Sequence, residues 1–256
     1  MSCLFSSYEE DYLYKNGIYS NAIKKLDLSC WDTSNVTNMK NMFEECVSLE
    51  KLDISNWDTS NVTSMRVMFF KCKSLKELDI LNWDTSNVYD MAGAFSYCES
   101  LVDLNLSGWN TSNVTDMDNM FSYCKSLTYL NASGWNTSRV IYMISMFSKC
   151  KSLEELDISN WDTPNVINMH CMFEGCRCLK TLNISGWDTS SVINMSSMFH
   201  NCKKSIIPDW YKKRLTESKL NFNPVDYSDE EHDLINNQTV SNLTYKYHPK
   251  TKKELQ

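Results

Sequence analysis

The sequence predicts an α/β solenoid of the leucine-rich-repeat type: seven right-handed 26-residue coils, each with one short strand and one short helix, the strands forming a parallel sheet on one face. Tryptophan recurs at Trp31, Trp57, Trp83, Trp109, Trp135, Trp161 and Trp187, each 26 residues after the last. Phenylalanine from Phe43 to Phe199 and cysteine from Cys46 to Cys202 keep the same step. No unit carries an insertion, as stacking demands, because one extra residue would break every inter-coil ladder at once.

Each element follows from spacing within the unit. Leu49, Leu52 and Ile54 have the LxxLxI pattern of a strand entering a parallel sheet, repeated at Leu75/Leu78/Ile80 and Leu179/Leu182/Ile184. Met39, Met42, Phe43 and Cys46 stand at i, i+3, i+4 and i+7, which predicts two turns of helix with one apolar face. Asn38, Ser64, Asp90, Asp116, Asn168 and Asn194 supply its N-cap, with Tyr142 the exception. In the last three units Ile141, Ile167 and Ile193 precede the cap and are placed to staple onto Met146, Met172 and Met198. Between strand and helix, WDTSNV turns the chain through side-chain bonds to backbone amides, and the tryptophan covers the coil edge with its indole N–H on that polar turn.

Both ends of such a stack need covers. Residues 1–22 read as the N-terminal cap, 23–202 as the solenoid, 203–222 as the C-terminal cap and 223–256 as a polar tail or linker. The formal charge of −7 removes the counterion-release drive toward nucleic acid or anionic lipid. No run of 18 apolar residues exists to insert in a membrane, and the first residues lack the pattern of a signal peptide.

The unit LxxLDISxWDTSNVTxMxxMFxxCxSL resembles the BspA-like leucine-rich repeat, the mycoplasma lipoprotein-associated type, over Ile23 to about Cys202. The resemblance implies surface display, adhesion or partner binding, and no catalytic residues. The regular cysteines read instead as reduced packing residues, which fits an intracellular compartment.

Three clusters invite chemistry. His170, Cys171, Cys176, Cys178, His200 and Cys202 gather thiols and imidazoles, without the spacing of a recognised zinc motif. Asp27, Asp53, Asp79 and Asp157, with Asn105, Asn131 and Asn183, form a row that bonding to backbone explains better than calcium, which needs converging oxygens. The methionines are core filling. The sequence therefore predicts no enzyme, no metal and no cofactor. It predicts a protein partner, on outward strand positions that vary from coil to coil: Val102, Asp103, Thr128, Tyr129, Glu154 and Glu155. The alternative is a structural or assembly component, of a virion or surface layer for example, held through caps and tail.

Overall fold

The computed structural model describes residues 23–217, and its units stack in the register of the repeat: each inter-unit bridge joins a residue to its counterpart 26 positions on. Six short strands lie on one side: β1 (Lys25–Asp27), β2 (Lys51–Asp53), β3 (Asp103–Asn105), β4 (Tyr129–Asn131), β5 (Glu155–Leu156) and β6 (Thr181–Leu182). They pair in parallel as β1–β2, β3–β4 and β5–β6, with Leu26 opposite Leu52, Leu104 opposite Leu130 and Leu156 opposite Leu182. These leucines point inward while the flanking side chains point mostly to solvent. Unit three breaks the series, since residues 77–79 form no strand.

The predicted helices are absent from the described repeat units. The stretch from Met39 to Cys46 is a chain of turns in which even-numbered amides bond three residues back, as Met42 to Met39, Glu44 to Asn41 and Cys46 to Phe43. Odd-numbered amides cross to the next unit: Met39 to Ser64, Asn41 to Arg66, Phe43 to Met68 and Glu45 to Phe70, at 2.7–3.1 Å. Four such bonds, all donated in the same direction, recur between every pair of neighbouring units as far as Gly175 to His200.

Spacing explains the departure. Stacked phenylalanines from Phe43 to Phe199 lie 5.4–5.7 Å apart, centroid to centroid. An α-helix is about 10–12 Å across, so helices could not stack at this distance. Helical i to i−4 bonding would also consume the amides that tie neighbouring units together. The turns have their own cost, because the positions of Asn41 and Glu45 take positive φ in every unit, with glycine only at Gly93 and Gly175. Even β-branched Val67 sits at φ 48°. At about 1–2 kcal/mol per left-handed residue, the two roughly offset four net hydrogen bonds of about 1 kcal/mol each. Burial decides the balance: Met39, Met42, Phe43 and Cys46 all point into the core, and each buried large apolar side chain contributes about 1.5–3 kcal/mol. The apolar pattern is thus common to the helix predicted and the turns observed.

The tryptophans also differ from expectation. Trp57 to Trp187 form a buried stacked ladder, with centroids 5.7–6.4 Å apart. From Trp57 to Trp161 the indole partner is the preceding unit's backbone and not the polar turn: Trp57 Nε1 donates to the Leu28 carbonyl at 2.9 Å, and Trp109 to that of Ile80. The polar turn has its own duties. Asp58 accepts the Ser60 amide, Thr59 Oγ1 donates forward to the Asp84 carbonyl, and Asn61 Nδ2 donates back to the Ser34 carbonyl. The staple is not formed by Ile193, which is 67% exposed while Met198 is buried.

The capping residues bond the amide two positions on, as Asn38 to Lys40 and Asn168 to His170. Tyr142 cannot, and the orphaned Ile144 amide instead donates across units to Asp118 Oδ1 at 2.6 Å. Asp118 is buried beside Asp116, with Arg66 nearby. Burial, then the Asp116 charge, pushes the Asp118 carboxyl well up, and burial takes Asp116 to about 6.

At the C-terminal end a 3-10 turn, η1 (Lys204–Ile206), leads into α1 (Asp209–Glu217). Buried Tyr211 meets the Phe199 ring edge-on at 5.0 Å and donates its hydroxyl hydrogen to the Met195 carbonyl, while Arg214 donates to the carbonyls of Thr189 and Val192. The segments read as the N-terminal cap, 1–22, and as the tail, 223–256, lie outside the described residues.

Two outcomes follow. A carboxyl whose folded pKa lies above its unfolded value of about 3.9 makes the native state bind more protons, so stability falls as pH rises from about 4 through 6. Asp118→Asn keeps an acceptor for Ile144 and removes the charge. Its melting temperature should exceed that of the unsubstituted protein at pH 7.5, with the gap closing near pH 4, whereas Asp118→Ala should melt below Asp118→Asn at both by loss of the cap, about 1 kcal/mol. The second outcome concerns thiols. Cys72 to Cys202 donate Sγ–H to the Phe carbonyl 29 residues back, at 2.9–3.3 Å, and burial pushes Cys124 up to about 12. Native-state labelling with a disulfide reagent should modify exposed Cys30 and spare Cys72, Cys98, Cys124, Cys150 and Cys176 until the protein unfolds.

Candidate interaction surface

Stacking commits the inward side chains, which leaves the strand face as the place where units can differ. Val102, Asp103, Thr128, Tyr129, Glu154 and Glu155 are all exposed, Val102 at 41% and Tyr129 at 52%. The structure brings only some of them together. Asp103 and Tyr129 are register partners on β3 and β4, and Thr128 Oγ1 lies 3.3 Å from both the Val102 carbonyl and Asp103 Oδ1. Glu154 is engaged elsewhere: its carboxylate accepts from Lys180, and that hydrogen bond and charge hold its pKa below the usual range.

Asp103 and Tyr129 line an open cleft of about 610 Å³ that runs toward units two and three. Its other walls lie outside the six residues singled out from the sequence. Unit two contributes Lys51, Leu52 and Asp53, and unit three the run from Glu77 to Leu81. The cleft lies where the sheet is interrupted: among the described residues, none of the amides of Lys76 to Ile80 donates to backbone, and Leu78 is only half-buried where its counterparts Leu52 and Leu104 are buried.

The sequence signal was a single residue. In the other six units the Asp or Asn at the strand end accepts the amide of a serine two positions on, at 3.0–3.3 Å: Ser29, Ser55, Ser107, Ser133, Ser159 and Ser185. Unit three has Leu81 in that place, and Asp79 is left without the bond. The row expected to bond to backbone therefore does so locally everywhere except at Asp79. The Leu81 carbonyl also approaches the next unit so closely that a Cβ on Gly108 would lie 2.5 Å from it.

The thiol and imidazole cluster does not converge. His170 Nδ1 lies 2.7 Å from Ser196 Oγ and its Nε2 3.3 Å from Cys171 Sγ, while His200 Nδ1 lies 3.4 Å from Glu174 Oε1, which also meets Lys149. Cys176 and Cys202 donate to the carbonyls of Phe147 and Phe173. Among the described residues no three His, Cys, Asp or Glu side chains are arranged to hold a metal ion, and no helix is long and apolar enough to cross a membrane.

Comparison with known proteins bears out the repeat type read from the sequence. The family described as "Mycoplasma protein of unknown function, DUF285" matches residues 15–131 and 89–210. Among solved structures, a leucine-rich cell surface protein from Faecalibacterium prausnitzii A2-165 is similar at 17% identity, with a TM-score of 0.33. The alignment covers 72% of this chain and 66% of that one, so the chain spans just under two thirds of that protein's length. No curated protein matches.

Gly108→Ala should test the close approach beside the cleft. It should lower the melting temperature by several degrees, because the clash is with backbone, whereas Gly186→Ala, with nothing within 4 Å, should leave it unchanged.

Proposed function

The chain belongs to the family described as "Mycoplasma protein of unknown function, DUF285", and from that premise we propose that it is a non-catalytic binding protein whose seven right-handed coils present the strand face to a protein partner. One observation carries the reading: the exposed Tyr129 ring stands at the rim of a 610 Å³ cleft on the strand face. Aromatic side chains at the edge of a recess are favoured anchors, since they bury large area at small entropic cost. Val102 beside it extends the apolar contact, and Glu154 and Glu155 form a charged flank that tunes association rate more than affinity. Display at a surface, with adhesion as the role, is what the BspA-like resemblance of the repeat supports.

A second reading, an assembly component held through its ends, draws on a different observation. In unit seven the forward-pointing amides of Met195, Ser197, Phe199 and Asn201 make no backbone bond among the described residues, and Ile193 beside them is exposed. An open row of donors is a template for pairing.

One set of variants separates the two. Tyr129→Ala combined with Glu154→Lys and Glu155→Lys should leave circular dichroism and melting temperature nearly unchanged and abolish capture of the natural partner. Capture that survives these changes and disappears on removal of residues 218–256, with α1 retained, would move the interaction to the C-terminal end.

A further inference from the structure

Unit three is where the repeat departs from its own rule, and the departure leaves unpaired negative charge in a recess. Elsewhere on the strand face Glu50 pairs with Lys24 and Glu154 with Lys180 across units, and the strand-end aspartates are tied to serine. In the cleft Asp79 and Glu77 make no ion pair among the described residues, Asp103 meets only the Thr128 hydroxyl, and Lys51 is the single cation against four carboxylates with Asp53. The same recess is partly apolar, with Leu78, Leu81 and the Tyr129 ring on its walls.

The geometry points to an arginine-bearing extended segment of a protein partner as the occupant of this cleft, its guanidinium on Asp79 and its aliphatic stem along Leu78, Leu81 and Tyr129. The assignment rests on the strand-face reading above and deepens it. Net negative charge selects a cation, but an exposed ion pair alone binds weakly. What makes arginine fit is the combination. A planar fork can take both oxygens of a carboxylate whose counterparts are tied to serine, the stem covers leucine, and a cationic plane stacks on an aromatic face. Lysine offers a point charge and loses the fork and the stacking. The cleft volume leaves room for neighbouring residues, and the free amides of unit three offer donors to an extended backbone.

Leu81→Ser restores the residue found in the other six units, where a serine hydroxyl comes within 2.6–2.9 Å of the acidic or amide oxygen in five. It should occupy Asp79 and remove the apolar wall while keeping or raising the melting temperature. Asp79→Asn removes the charge at constant shape. The test selects a random octapeptide library on the full chain and measures the enriched peptide, fluorescein-labelled, by anisotropy. Enrichment of arginine at one fixed position beside an apolar residue supports the assignment. So does a loss of affinity of about tenfold or more in Asp79→Asn and in Leu81→Ser, with a smaller loss when lysine replaces the peptide arginine than when alanine does. Enrichment without a cation, equal affinity in both variants, or binding that requires added calcium would overturn it. If Tyr129→Ala weakens capture of the natural partner while Asp79→Asn and Leu81→Ser do not, the strand-face reading stands and the arginine assignment falls. If none of the three has an effect, both fall.

Discussion

The structure depends on one set of hydrogen bonds: the odd-numbered amides of each turn segment, all donated to the carbonyls of the next unit. This ladder runs without a gap through every unit, whereas the strands pair only two by two. The turn side is therefore the spine of the array and the strand side its variable face. Both sides must share one short repeat distance, and that distance determines the rest. It excludes helices, stacks phenylalanine on phenylalanine and tryptophan on tryptophan, and places each ladder cysteine from Cys72 to Cys202 on the phenylalanine carbonyl of the unit before. A substitution inside a ladder has neighbours above and below, so its effect is felt in three units and not one.

The same constraint limits where function can reside. A side chain that faces inward is fixed by its copies on either side, and the polar turn is equally committed, with aspartate, threonine and asparagine each bonded at a defined carbonyl or amide. Freedom remains on the outward strand positions and at the ends of the stack. Unit three shows how little change is needed to use it. One leucine in place of serine leaves Asp79 without its local bond, and the sheet opens beside it into a cleft that Tyr129 borders from two units away.

Much of this was legible in the sequence, for a physical reason: stacking converts a 26-residue period directly into neighbours in space. The strand leucines, the aromatic ladders and the exposed face from Val102 to Glu155 all follow from that single step. The turns were not legible because Met39, Met42, Phe43 and Cys46 bury the same atoms in a helix or in linked turns. Hydrophobic periodicity reports which side chains are inside and not the φ angles that place them there. Asp118 was hidden for another reason. Its role is to replace the cap that Tyr142 lacks one unit later, a compensation visible only when units are read across as well as along. Leu81 stood in plain view as a break in the serine column, but only the structure shows that the break coincides with a recess.

A continuous turn ladder contrasts with a strand face open at unit three, and amide hydrogen exchange reads this contrast in one experiment. The amides of Met91, Gly93, Phe95 and Tyr97, which donate to unit four, should exchange only with global unfolding, while those of Lys76 to Ile80 should exchange faster by orders of magnitude. Equal protection of the two segments would contradict it, and so would exchange at Met91 to Tyr97 as fast as in an unfolded chain.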